Sequence, residues 1–122
     1  MTSYCYRLPW PPSINHYWQS FVPPGGRRAI VSVSTRGKQF RQEVCDAIYS
    51  APMLMGRLAV CVELTPPNRM RRDIDNFCKV ALDCLTHAGV WKDDEQIDEL
   101  IVRRLAVEPP GCCDVTIVEL EA

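Results

Sequence analysis

Hydrophobic and polar positions along this chain alternate in some stretches and recur at three- and four-residue steps in others, and that change of period divides the chain into elements. Between Arg57 and Thr65, Leu58, Val60, Val62 and Leu64 share one face and Ala59, Cys61 and Glu63 the other, which predicts a strand ending at Pro66-Pro67. A helical period follows from Asp73 to Ala88, where Ile74, Phe77, Cys78, Ala81, Leu85 and Ala88 form one apolar stripe opposite Asp75, Asn76, Lys79 and Asp83. Gly89 suits a left-handed cap, and Val90-Trp91 is expected to fasten the acidic segment after it into the core.

An earlier helix is predicted from a Ser34 or Thr35 cap to about Ser50, carried by Phe40, Val44, Ala47, Ile48 and Ala51. Short strands are predicted at Ser3 to Leu8, before the proline loop Pro11-Pro12-Ser13-Ile14-Asn15, and at Arg28 to Ser34, after the turn cluster Pro23-Pro24-Gly25-Gly26. Ile97 to Val107 and Cys112 to Leu120 read as two closing strands, an antiparallel pair joined through Pro109-Pro110-Gly111. The expectation is one domain over residues 1–122, of class α/β (α+β), with about five strands and two helices.

Composition supports that size of core, because 122 residues suffice to bury one without disulfide or metal support. The net charge of -1 hides a segregation: Arg69, Arg71 and Arg72 crowd together, and Asp93, Asp94, Glu95, Asp98 and Glu99 crowd elsewhere. Seven cysteines are an odd number with no CxxC pair, and Met1 to Trp10 lack a signal-peptide core, so reduced thiols in a cytoplasmic protein are expected. No apolar run approaches membrane-spanning length.

Candidate chemistry centres on Arg71-Arg72-Asp73-Ile74-Asp75-Asn76, where carboxylates stand beside guanidinium groups at the head of the second helix. On an ideal helix Asp73 and Asp75 diverge by about 200°. Convergence on one ion therefore requires Asp73 before the helix or at its cap, with Asp75 in the first turn. Taken alone the pair reads as an acidic helix start that complements the dipole. Three arginines just upstream favour phosphate contact instead, since a guanidinium pairs bidentately with a phosphate. Asp93-Asp94-Glu95 offers further oxygen ligands, the kind a hard cation such as Mg²⁺ takes. Lys79 sits four residues after Asp75, at the spacing of a helical ion pair, or serves to stabilise charge in a phosphoryl transition state. The fifth and sixth positions counted from Asp73 are Phe77 and Cys78, which excludes a calcium loop; no Gly-rich phosphate loop, HExxH helix or GxSxG elbow occurs. His16 and His87 read as isolated surface histidines.

These residues resemble the RusA family of Holliday-junction resolvases. The likeness rests on Trp10-Pro11-Pro12-Ser13 with Asn15, then Arg71-Arg72-Asp73-Ile74-Asp75-Asn76, Lys79, Asp83, Leu85, Gly89, Trp91 and Asp93-Asp94 in that order. It implies a mixed β-sheet with two helices packed on one face, and a metal-dependent endonuclease that resolves four-way junctions in recombination and repair. Asp73, Asp75 and Asp94 are implied as the essential metal-site carboxylates, Asp93 as a supporting acid, and Lys79 as a catalytic aid. Mg²⁺ is the implied ion, with Mn²⁺ as a substitute and no small-molecule cofactor. Asn15, Arg69, Arg71, Arg72 and Lys79 are expected on DNA, and a homodimer on four-way branched DNA is implied, two symmetric cuts needing two equivalent sites. Ile14 and the Pro23-Pro24-Gly25-Gly26 segment depart from the family pattern. Alternatives are a catalytically silent branched-DNA-binding protein, a flap or fork nuclease, and a structural homodimer whose acids only cap a helix.

One geometric problem stands out. A helix from Asp73 to Ala88 would be about 22 Å long, so Asp94 emerges at its far end unless the chain doubles back, the helix starts late, or a partner subunit supplies the residue. Gly89 and Trp91 favour a reversal within one chain.

Overall fold

The computed structural model describes residues 2–121. Its elements run β1 (Ser3–Pro9), α1 (Ile14–Tyr17), β2 (Trp18–Phe21), β3 (Ile30–Val33), α2 (Thr35–Ala47), β4 (Leu58–Thr65), α3 (Asp75–Ala88), a 3-10 turn (Asp94–Gln96), β5 (Ile97–Arg104) and β6 (Cys112–Glu119). Four strands make a mixed sheet in the order β1-β6-β4-β5, and β2 and β3 make a separate antiparallel pair.

β4 is the centre of the sheet because its alternation allows it. Leu58, Val60, Val62 and Leu64 are at most 2% exposed, and the intervening residues are only partly covered. The two longer helices pack against that inner face. Phe40, Val44 and Ile48 from α2 and Phe77, Ala81 and Leu85 from α3 join Val115 and Ile117 of β6 in one core. The Ser34 hydroxyl caps α2 by accepting from the Gly37 N–H at 3.0 Å. All seven cysteines are free thiols, and no helix among the described residues is long and apolar enough to cross a membrane.

The expected pairing of the last two strands is wrong. β5 runs parallel to β4, β6 runs antiparallel to it, and the two flank β4 on opposite sides. The reason lies in residues 105–111, too long for the tight turns of about 2–5 residues that close hairpins. This segment crosses the end of β4, with Leu105 N donating to Leu64 O at 2.8 Å and Glu108 N to Pro66 O at 2.9 Å. Each neighbour of the most apolar strand thereby satisfies one of its edges. Two further elements differ from expectation. The stretch after the proline loop winds into α1, and Trp18 to Phe21 supplies an unforeseen strand, raising the count to six strands and three α-helices among the described residues. Both segments are short, and their periodicity is therefore weak.

Candidate functional site

α3 begins at Asp75, two residues later than the apolar stripe suggests. Asp73 thus lies outside the helix and Asp75 in its first turn, but the helical dihedrals of Ile74 between them keep the two side chains apart, and only Asp73 of the pair lines the cleft described below. Ile74 occupies the cap position with helical dihedrals, and no side chain caps the helix. Backbone contacts from Asn76 N to Asp73 O at 3.2 Å and from Cys78 N to Ile74 O at 3.0 Å close the first turn. Among the described residues neither the Asp73 nor the Asp75 carboxylate has a hydrogen-bond or ion-pair partner, and both residues are exposed. Carboxylates left without a partner suit residues kept for an external cation better than residues kept for stability.

At its other end α3 stops on Gly89, whose φ of 86° is the left-handed conformation that favours glycine. The chain then reverses. Val90 and Trp91 are fully buried, and the indole N–H donates to the Thr86 hydroxyl at 2.6 Å. The returning segment is held by Gln96, only 8% exposed. Its Oε1 accepts from the Lys92 and Asp93 N–H groups at 2.9 and 3.0 Å, and its Nε2 donates to the Leu54 and Gly56 carbonyls at 3.0 and 2.9 Å. Asp93 completes a capping box with it: the Asp93 carboxylate accepts from Glu95 N at 3.0 Å, and that bond holds it below the usual carboxylate range. Asp93 is thus engaged in shaping the turn.

The reversal brings Asp94 back along α3 as far as Lys79. The Lys79 ammonium stands 2.8 Å from Asp83 Oδ1 and 3.5 Å from Asp94 Oδ2, and these contacts, Asp83 first, raise its pKa. The helical pairing of Lys79 with Asp75 is absent: its partner at four residues' distance is the more sheltered Asp83, which leaves Asp75 free. Asp94 therefore reaches Lys79, which stands one helical turn beyond Asp75 on α3. Among the described residues no three His, Cys, Asp or Glu side chains stand close enough to form a metal cage. In chemistry the donor set fits a hard divalent ion, being carboxylate oxygen only, with two of its three members unpartnered.

Asp73 and Asn76 face a cleft of about 730 Å³ that Arg71, Arg72, Ser13 and His16 also line. Arg69 lies on a neighbouring cavity, and Asn15 is exposed without lining either. Arg72 is fixed by bonds to Asn68 O at 3.1 Å, Asn68 Oδ1 at 2.7 Å and Met70 O at 3.2 Å, and its guanidinium stacks on Trp10 at 5.4 Å. Arg72 is thus held by its own segment and by Trp10. Sequence reasoning missed Gln96, His16 and Arg36. Gln96 was legible as the third residue after Asp93 in a capping box. His16, whose Nδ1 lies 2.8 Å from Ser13 Oγ, and Arg36 reach the cleft only through the fold.

Comparison with known proteins gives a consistent result. The family model described as endodeoxyribonuclease RusA matches residues 9–117. Proteins named crossover junction endodeoxyribonuclease RusA from Escherichia coli O139:H28 (strain E24377A / ETEC) and Escherichia coli (strain K12) are 37% and 36% identical to this chain over 123 residues, covering 98% of each chain. A protein of that name from Enterobacteria phage HK97 is 36% identical over 125 residues, covering 100% of this chain and 99% of its own.

Proposed function

The chain belongs to the RusA family of endodeoxyribonucleases, and on that premise we propose that it cuts four-way DNA junctions in matched pairs, as a single domain over residues 1–122 acting as a homodimer in the cytoplasm. The observation that carries this reading is the pair of unpartnered carboxylates at the head of α3, Asp73 in a cleft lined by Arg71 and Arg72 and Asp75 in the first turn, with Asp94 returned alongside that helix.

Asp73, Asp75 and Asp94 are the residues that hold the divalent ion, Mg²⁺ by preference and Mn²⁺ in its place, with Asp93 supporting them through the turn it caps. When bound, the ion polarises the scissile phosphate and lowers the pKa of its water. The protein's own groups do the rest. Arg71 and Arg72 seat the phosphodiester beside Asp73 and offset the repulsion between DNA and carboxylates. Lys79 carries its ammonium between Asp83 and Asp94, where it stabilises negative charge that develops on the phosphate. Arg69 and Asn15 contact the backbone from either side. A two-fold dimer presents two such sites to the two strands of opposite polarity that must be cut.

The deciding experiment is cleavage of mobile and fixed four-way junctions in Mg²⁺ against chelator, with nicks mapped on all strands. Symmetric paired incisions, lost in Asp73→Asn with junction binding retained, are expected. Binding without cutting by the unmodified protein would reassign it as a silent junction-binding protein, and single cuts at flaps or forks as a different branch nuclease. Mixing Asp73→Asn with Asp94→Asn subunits tests whether each site is built from one chain; recovery beyond the share of intact sites would place Asp94 in the partner's site.

A further inference from the structure

Beside the Asp73 cleft lies a smaller cavity of about 230 Å³. Its wall is aromatic: the rings of Trp10 and Phe77 lie 5.0 Å apart at a 41° tilt. Ile74 and Leu105 extend the apolar surface, while Arg72 and Arg104 form a cationic rim. Arg104 Nη2 donates to the Arg72 carbonyl at 2.6 Å, which ties β5 to the arginine segment and fixes the shape of the mouth. No carboxylate lines this cavity among the described residues, although the cleft next to it holds Asp73.

We propose that this cavity receives one unstacked nucleobase from the strand being cut, with the partly exposed Trp10 as its aromatic surface and the buried Phe77 packed against that ring as its support. The inference rests on the nuclease reading above and extends it to the recognition of sequence at the cut. Position is the first argument. Arg72 and Ile74, the residues on either side of Asp73, both line the cavity, and Trp10, Phe77 and Arg72 line cavity and cleft alike. A phosphate seated at Asp73 therefore carries its neighbouring base to the mouth. Chemistry is the second argument: an aromatic wall with guanidinium groups at its edge is what a base on a phosphate backbone requires, stacking inside and charge outside. Size is the third. The volume falls below the roughly 300–1,000 Å³ of sites for larger ligands, and suits one planar heterocycle. Branch points supply such a base at low cost, because pairing and stacking are already interrupted there. A base held in this way lies against Asn68, Arg69 and Met70, which also line the cavity, so this is where the identity of the nucleotide at the cut is read.

The test is single-turnover cleavage in Mg²⁺ of a fixed four-way junction and of copies bearing an abasic nucleotide at each position flanking the mapped cut. Removal of one particular flanking base is expected to slow the unmodified protein about tenfold or more, the scale of one lost stacking contact. Trp10→Ala and Leu105→Trp, the first removing the wall and the second filling the space, are expected to cut the intact junction more slowly by a similar factor and to lose the dependence on that base. Leu105 is partly exposed at the rim, so Leu105→Trp decides the matter if Trp10→Ala fails to fold by circular dichroism. Equal rates on intact and abasic junctions, or full base dependence in both folded variants, overturn the pocket and leave the nuclease reading standing. Absence of any Mg²⁺-dependent cutting by the unmodified protein removes both.

Discussion

Gln96→Leu is the substitution that separates position from chemistry at this site. The side chain makes four hydrogen bonds to backbone groups of residues 54, 56, 92 and 93, all between 2.9 and 3.0 Å, and is 8% exposed. Leucine keeps the approximate volume and removes every bond. At about 0.5–1.5 kcal/mol net for each, and with the exposed Lys92 and Asp93 amides partly regaining water, the loss comes to about 3 kcal/mol. For a chain of this size that lowers Tm by about 10–15 °C. The turn that carries Asp94 then loses its anchor, and misplacement of one reacting group by ~1 Å costs ~10²-fold in rate. Gln96→Leu is therefore expected to bind a four-way junction near normally while cutting it about a hundredfold more slowly at a temperature where it stays folded. Gln96→Glu sharpens the test. A carboxylate would face the Leu54 and Gly56 carbonyls, so its folded-state pKa rises above its unfolded value; the lost stability should return as pH falls and vanish as pH rises. Thermal melts by circular dichroism with junction cleavage at matched stability measure both effects. A Tm change under about 3 °C with unaltered turnover would refute the claim that Gln96 positions Asp94.

Gly89→Ala should lose about 1–2 kcal/mol in urea denaturation from the left-handed backbone alone, since its new methyl group would meet only Met53 Cε at 3.6 Å, an ordinary contact. Burial pushes the Cys84 thiol up to about 11 and the Tyr17 phenol up to about 12, and raises Cys113 further still. These groups favour folding fully below their unfolded values and lose that contribution as pH rises through the folded ones. The urea midpoint should therefore fall steadily above pH ~9, and a flat midpoint to pH ~10.5 would contradict the burial of these groups. Asp98 is held low by the Arg57 guanidinium at 2.6 Å, so its small contribution is present above the usual aspartate range and lost on acidification; Arg57→Gln should remove that acid-side slope. Arg71→Ala should reduce the slope of log affinity for junction DNA against log salt by about one, as the loss of one phosphate contact does.

The helices and central strand were legible because each carries a long, unambiguous period. Leu58 to Leu64 and Phe77 to Leu85 could be assigned without knowing their partners, and Ser34 and Gly89 marked their ends by residue chemistry alone. Pairing was another matter. Alternation says which face of a strand is buried and nothing about which edge meets which neighbour, so β5 and β6 read as a hairpin when the segment 105–111 in fact carries the chain over β4. Four-residue elements such as β2 and α1 were missed because one turn or two alternations fit several patterns equally.

The same distinction between local and non-local information governs the site. Asp73, Asp75 and the arginines lie within a few residues of one another, and a sequence shows such proximity directly. The return of Asp94 to Lys79 depends on a chain of causes that is local at every step but joins two ends of a helix: Gly89 reverses the chain, Trp91 buries and bonds to Thr86, Asp93 and Gln96 close a capping box, and Gln96 ties the turn to residues 54 and 56. The first two links are readable from the sequence, and so is the third, although a run of acids around Asp93 suits oxygen ligands as well as a capping box. The fourth depends on a segment about forty residues away, joined through a single β-bridge between Leu54 and Trp91. The acidic residues thus divide by what surrounds them: Asp93 is occupied with hydrogen bonds that shape the turn, Asp83 with Lys79, and Glu95 and Asp98 with Arg57. Asp73 and Asp75 stand apart from all of these. Five acids crowded between Asp93 and Glu99 make the second segment look like the richer source of ligands, yet neighbours engage Asp93, Asp94, Glu95 and Asp98. Asp73 and Asp75, by contrast, stay unpartnered among the described residues because Arg72, next to Asp73 in the chain, is turned toward Trp10 and Asn68.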